Sequence, residues 1–530
     1  MAEFIIRTEE LTNDQISDLY VASENEQSII NKLKAPSPVL LIGSRGVGKS
    51  FLFKKCEIEL LNDFSKNRVL PIYLTFRKAS LINTSNSEQF QYWMLARICA
   101  EVVRALKKKG LLSPSSTTIP FQTNDVSTTA LDKTISEFEE SWKNPGKNVN
   151  TDDIPTLDDF LSYIEDICID LDIKRIILFV DEAAHVFLPM QQRSFFTLFR
   201  DLRSPYIKCN AAVYPGVTVY GDTFEPTHDA VKINLVRKIT DENYIANMKK
   251  MVMNQVEDGD LSRKLLQNGE NFTLLAYAAS GNPRYLLNSI NMAEKLDSNA
   301  TNSVFREYYR EKQWAEHSCL AERYPGYKKL IEWGRDFLET QVIPELKNKN
   351  DAFLNSNIGK GTTLYFWIQN GAPQEVREAL RILEYSGLVY EDAPGIRASR
   401  SEVGTRYMVN IGCLLAIESK ATSTGLNIIK DSDIRRMSEY GSNQPLFAQI
   451  QGCVAEAEND VIKEQFTKSI DVLDLTNWQK QKMHEININT IGELIAAPES
   501  KLKEAKQIAD VRARMIKNAV VAALCEYLLG

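Results

Sequence analysis

Two short stretches carry residue types that can handle a phosphate chain and its counter-ion. The first, residues 39–50, reads Val-Leu-Leu-Ile-Gly-Ser-Arg-Gly-Val-Gly-Lys-Ser. Gly43, Gly48, Lys49 and Ser50 fit the P-loop spacing G-x-x-x-x-G-K-[ST]. Such a turn must aim successive backbone N–H groups at phosphate oxygens, and Gly46 and Gly48 supply the Cβ-free positions this needs. Lys49 can reach the β- and γ-phosphates, and the Ser50 hydroxyl can ligate Mg²⁺. The second stretch is Arg175-Ile-Ile-Leu-Phe-Val-Asp-Glu, an apolar run ending in the carboxylates Asp181 and Glu182. This is a Walker B pattern. The first acid can hold Mg²⁺ through water, and the second can orient or deprotonate an attacking water.

Both stretches need strands to carry them. Residues 39–42 and 176–180 read as buried strands, joined by further strands at 68–76, 207–214 and 230–236. A helix is expected from about Val47 to residue 63, so that its positive end faces the loop. Strands alternating with helices, with the phosphate loop at a strand end, predict a three-layer α/β core around a parallel sheet. The long spacing between Lys49 and Asp181 is read as an insertion at about 80–156. A helix is expected at about 87–109, and over 110–156 Ser, Thr, Asn and Pro dominate, with one helical island at 131–143 containing Phe138 and Trp142. The basic run Lys107-Lys108-Lys109 suits the C-terminal end of a helix. From residue 240 the pattern is helical.

Size and composition set the frame. At ~150 residues per domain, 530 residues make three to four domains. A hydrophobic content of 44% supports sizeable cores and excludes wholesale disorder. The net charge of −7 means that any nucleic-acid contact needs a local basic patch. The eight cysteines include no C-x-x-C pair and read as reduced core thiols of a cytoplasmic protein. The four histidines form no metal-spaced set. The first residues lack the pattern of a signal peptide, and no run is long enough to span a membrane.

In this order the pieces resemble an AAA+ ATPase of the origin-recognition and initiator-like clade, in a bacterial relative. Gly43–Ser50 matches its Walker A and residues 176–182 its Walker B. The turn Gly281-Asn-Pro-Arg284, opening a helix in a lid at 240–300, is similar to that clade's sensor 2. The resemblance implies that Arg284 contacts the γ-phosphate. It also implies a nucleotide-contacting set of Gly43, Ser44, Arg45, Gly46, Val47, Gly48, Lys49, Ser50 and Phe51. Two features depart from the family pattern. The strand ending at Val213-Tyr214 lacks a polar sensor 1, and Asn210 is the nearest amide. The arginine finger is unassigned between Arg200 and Arg203.

Such proteins often carry a winged helix after the lid. Here residues 301–420 read as linker helices and a winged helix, with a helix at 373–386 capped by Gly387 and a hairpin carrying Arg397, Arg400 and Arg406. That helix holds three acids against two bases, so protein contact or lid packing stands level with DNA contact. After a polar joint at 421–466, residues 467–530 resemble the helix-hairpin-helix-like C-terminal domain of the RNA polymerase α-subunit. The hairpin Ile508-Ala509-Asp510 has no glycine, however, and Asp510 opposes phosphate.

The expectation is an ATP- and Mg²⁺-dependent switch ATPase with a core at 1–239. Lys49, Glu182 and Arg284 are its catalytic groups, and Ser50 and Asp181 its metal groups. It would oligomerise with its own kind in the ATP state and act on DNA in initiation, mobile-element maintenance or phage defence. The alternative is a nucleotide-gated assembly that recruits an effector protein without nucleic acid.

Overall fold

The computed structural model describes residues 4–81, 87–112, 130–140, 149–182, 189–221, 223–256, 259–399, 401–453 and 466–528. The chain divides into two compact units. One comprises Ile5–Tyr214 with Thr218–Val236, the other Met1–Phe4, Pro215–Val217 and Arg237–Gly530.

The first unit is built on β1 (Val39–Ile42), β2 (Val69–Thr75), β3 (Arg175–Asp181), β4 (Ile207–Val213) and β5 (Val231–Asn234). They form one sheet in the order β2-β3-β4-β1-β5, with every pair parallel. β3 and β4 are buried along nearly their whole length, as strands covered on both faces must be. Alternate residues feed two helical layers. On one face, Ile177 and Phe179 meet Ile29, Ile30 and Leu33 of helix Glu24–Lys34 and Leu52, Phe53, Cys56 and Leu60 of helix Lys49–Asn62. On the other, Phe76 meets Trp93 of helix Ser87–Lys108 and Phe195 of helix Pro189–Asp201. The expected α/β three-layer class is what the chain adopts.

Part of the expected insertion is core. Helix Ser87–Lys108 buries Trp93, Met94, Cys99, Val102 and Leu106, and so forms one of the covering layers rather than an excursion. Its apolar face was legible as helical, but nothing local marks which sheet it covers. Helix Ala130–Glu139 buries Leu131, Ile135 and Phe138, while Trp142 lies outside the described residues.

The second unit begins with helices Tyr244–Met253, Gly259–Gln267, Gly269–Ala278 and Pro283–Met292. A four-stranded sheet follows, in the order β7-β8-β6-β9, from β6 (Tyr365–Gln369), β7 (Val389–Arg397), β8 (Val403–Val409) and β9 (Met437–Tyr440). β7 and β8 are the expected hairpin, and helix Gln374–Tyr385 precedes them. The stretch expected to be a joint instead carries helix Ala421–Lys430 and β9, which pairs in parallel with β6. Four-residue β9 was hidden because Met-Ser-Glu-Tyr shows no apolar run. The C-terminal helices are Asn477–Glu485, Ile491–Ala496, Glu499–Leu502 and Asp510–Leu528. Thr476 with Gln479 and Thr490 with Glu493 form capping boxes that start the first two. Among the described residues no helix is long and apolar enough to cross a membrane.

Candidate functional site

Because β1, β3 and β4 run parallel, their C-terminal ends share one edge of the sheet. The glycine loop leaves β1 there, and the acidic pair ends β3. Only β4 separates the two strands, so at ~4.8 Å per strand the two motifs open about 10 Å apart.

Backbone geometry at the loop meets the expectation. Gly46 and Gly48 take φ of 85° and 105°, where a side chain would be strained. The helix begins at Lys49, two residues later than read from sequence, because Gly48 in its left-handed conformation is the cap. Gly48 provides no side-chain cap, and the first turn holds no acidic residue. The first turn therefore brings no acidic side chain of its own to the positive end of the helix. The Lys49 side chain is buried and bends back on its own loop. Nζ donates to the Gly43 carbonyl at 2.6 Å and to that of Ser44 at 3.0 Å. It also lies 3.7 Å from the centre of the Tyr214 ring. An aromatic ring thus stands directly after β4, where the resemblance called for a polar sensor, and it touches the loop lysine.

Asp181 is buried, and both its oxygens are engaged. Oδ1 accepts from the Glu182 N–H at 2.9 Å, and Oδ2 accepts from the Tyr73 hydroxyl at 2.5 Å. Glu182 sits at φ 58°, a rare conformation for a side-chain-bearing residue that turns it off the strand line. Burial, and then the neighbouring Asp181 charge, push its carboxyl above the ordinary range. Arg77 opposes this, with Nε 3.7 Å from Glu182 Oε2, while its Nη2 pairs with Glu9 Oε1 at 2.5 Å. Neither Tyr73, Arg77 nor Tyr214 was flagged by sequence, since no motif spacing marks them. Strand register could have found Tyr73, which lies two positions before the residue paired with Asp181.

Other sequence candidates fall elsewhere. Asn210 lies at the middle of β4, paired with the first residue of β1, and is fully buried. Its Oδ1 accepts from the Val39 N–H at 3.1 Å and its Nδ2 donates to the Leu33 carbonyl at 3.0 Å. Val39 opens β1, so this amide is committed to the end of β1 opposite the loop. Arg200 donates to Asp201 at 2.7 Å and to the Thr223 carbonyl at 2.6 Å, whereas Arg203 is exposed. In the second unit, Gly281 takes φ 82°, and the Asn282 side chain accepts from the Arg284 N–H at 3.1 Å. Arg284 therefore opens helix Pro283–Met292 as read from sequence. Its Nε is buried without a hydrogen-bond partner among the described residues. A guanidinium donor left so is fit to take an anionic acceptor.

Of the winged-helix candidates, Arg406 is committed internally. Arg406 pairs with Asp392 at 2.6 Å and lies over the Tyr365 ring. Arg397 is exposed, and Arg400 lies outside the described residues. Helix Gln374–Tyr385 buries Gln374, Glu375, Val376, Glu378, Leu380, Ile382 and Leu383. Asn518 of the C-terminal helix caps it, accepting from the Gln374 N–H at 3.1 Å. In that C-terminal segment, Lys503 pairs with Asp510 at 2.7 Å, and Lys517 donates to the Leu494 and Ile495 carbonyls at 2.8 Å.

Comparison with known proteins bears on this site. A family model described as ORC-CDC6-like matches residues 5–93, the segment holding the phosphate loop, Tyr73 and Arg77. No curated protein matches the chain in sequence. Among solved structures, a Walker-type ATPase of Pyrococcus abyssi is similar at 12% identity, covering 78% of this chain and 97% of its own, with a TM-score of 0.39. The ORC2 protein of Aeropyrum pernix, solved in ADPNP and ADP complexes, follows at 11% identity, 79% and 94% coverage and a TM-score of 0.34. The ORC1 protein of the same organism, solved with DNA, stands at 14%, 78%, 98% and 0.29. The fold rests on the parallel sheet itself rather than on likenesses of this size. The matched segment runs through the loop and the strand beside Asp181, and over that segment the chain is similar to ORC-CDC6-like proteins.

Proposed function

We propose that this chain binds ATP with Mg²⁺, hydrolyses it slowly, and uses the cycle as a conformational switch acting on DNA. The observation carrying this reading is the shared sheet edge that brings Lys49 and the Asp181–Glu182 pair to either side of β4. The loop N–H groups and Lys49 bind the phosphates, Lys49 exchanging its two loop carbonyls for phosphate oxygens. The Ser50 hydroxyl and the Asp181 carboxylate hold the metal. A Mg²⁺ ion held by these two groups would supply positive charge to the phosphate chain. Glu182, its proton affinity raised by burial, takes the proton of the attacking water. Arg284 offers its unpartnered donor to the γ-phosphate and reports nucleotide state to the lid. In the ATP state the chain assembles with copies of itself.

Glu182→Gln should retain ATP and stop turnover, and Lys49→Ala should lose binding. Undiminished hydrolysis by Glu182→Gln would sink the role given to that carboxyl. The DNA arm predicts binding that weakens steeply with added salt. Absence of binding at low salt, with ATP present, removes it. A second reading has its own support: Arg406 is tied to Asp392, and the winged-helix helix is covered by its own chain. Those facts favour a nucleotide-gated assembly that recruits an effector protein. That reading predicts ATP-dependent oligomers indifferent to DNA.

A further inference from the structure

Tyr73 lies outside every motif, yet it touches both elements that would carry the metal. Register pairs Tyr73 with Phe179 and Thr75 with Asp181 in adjacent parallel strands. Tyr73 and Asp181 therefore stand on one face of the sheet, two positions apart, within reach of a long side chain. The Tyr73 hydroxyl uses that reach to donate to Asp181 Oδ2 at 2.5 Å. Its ring faces the other way, toward helix Lys49–Asn62. There the Lys54 ammonium lies 3.7 Å from the ring centre and is itself paired with Glu57 at 2.8 Å. Lys54 is four residues after Ser50, one turn on along the same helical face. One side chain thus spans from the helix carrying Ser50 to the strand end carrying Asp181.

We infer that Tyr73 is the positioning residue that sets the separation and orientation of Ser50 and Asp181 for the metal of a bound nucleotide. The inference rests on the nucleotide and Mg²⁺ reading of the site. Its logic is that of an outer partner to a ligating carboxylate. With Oδ2 and Oδ1 each accepting a hydrogen bond, the carboxyl plane cannot rotate, and its remaining lone pairs point in a defined direction. The ring, fixed between Lys54 and the sheet, keeps the hydroxyl at its place.

The test uses the full chain and a fluorescent ATP analogue, with binding as the readout. Binding is measured in EDTA and as a function of Mg²⁺ for the wild type, Tyr73→Phe and Lys54→Met. The wild type should bind more tightly with Mg²⁺. Tyr73→Phe keeps the ring and should match the wild type in EDTA within about twofold, while its half-saturating Mg²⁺ rises roughly tenfold or more. Lys54→Met should move in the same direction by less. A Tyr73→Phe curve superimposing on that of the wild type overturns the inference alone. A variant equally weakened with and without Mg²⁺ makes Tyr73 a packing residue and overturns it too. A wild type whose binding ignores Mg²⁺ overturns the reading of the site as a whole, and this inference with it.

Discussion

Replacing Asn210 with Ala separates two roles that the same amide could have played. As a sensor it would touch the nucleotide, and its loss would slow hydrolysis without loosening the fold. In the structure it holds the end of β1 opposite the loop. Its Oδ1 takes the Val39 N–H at 3.1 Å and the Lys208 ammonium at 3.0 Å, and its Nδ2 serves the Leu33 carbonyl at 3.0 Å. After truncation the Val39 N–H is a buried donor without that acceptor, at a cost of about 1–3 kcal/mol. Leu33 retains the Lys208 ammonium, and Lys208 retains the Leu33 and Ser37 carbonyls, so their losses are partial. Together they add roughly 1–2 kcal/mol. The total, about 2–5 kcal/mol, falls on β1 and on the segment that leads into it. Hydrogen exchange read on peptides covering residues 33–42 should show protection reduced by about 30-fold or more, one decade per ~1.4 kcal/mol. Nucleotide affinity of the folded variant in the cold should stay within about twofold of the wild type. Unchanged protection together with lost hydrolysis would refute the assignment and restore Asn210 to the nucleotide.

Four further outcomes follow from particular residues. Burial holds the Lys208 ammonium down to about 7 from an ordinary 10.5. Between those pH values the unfolded chain binds the extra proton. Wild-type stability, measured by urea unfolding relative to Lys208→Met, should therefore rise with pH across that window and stay flat below it, by at most ~5 kcal/mol. Arg406→Met breaks a partly exposed pair with Asp392 and should lower the melting temperature of the second unit modestly, at about 0.5–1 kcal/mol. Exposed Arg397→Ala should leave melting unchanged, so a loss of DNA binding in that variant alone would mark a phosphate contact. Gly281→Ala should destabilise the second unit by about 1–3 kcal/mol in thermal melting, because φ is 82° and the added Cβ would lie 2.5 Å from the Arg237 carbonyl oxygen.

The charge pattern of the C-terminal modules takes on meaning only after folding. Counted along the chain, Arg406, Lys503 and Lys517 look available for phosphate. In the structure each faces an internal acceptor: the Asp392 carboxylate, the Asp510 carboxylate, and the Leu494 and Ile495 carbonyls. The mixed charge of helix Gln374–Tyr385 has a related explanation. Glu375 accepts from the Gly452 N–H at 2.8 Å and Glu378 from Gln374 at 2.6 Å, so buried acids there satisfy neighbours rather than meet solvent.

What the sequence by itself determined is the part of the protein governed by local rules. A glycine loop with Lys49 and Ser50 needs a strand before it and a helix after it, because backbone conformation and unsatisfied N–H groups allow little else. An apolar run ending in Asp181-Glu182 is a buried strand whose acids emerge at its end, and Gly281-Asn-Pro-Arg284 ends one helix and opens another. The tertiary structure decided what depends on register and neighbours. Parallel pairing put Tyr73 beneath Asp181, and strand order put Tyr214 against Lys49. Register against β1 tied Asn210 to the first residue of that strand, and burial turned helix Ser87–Lys108 from an apparent insertion into a layer of the core. Motifs record the groups that meet a ligand. The groups that hold those in place are recruited from any strand within reach, and their spacing along the chain carries no signature.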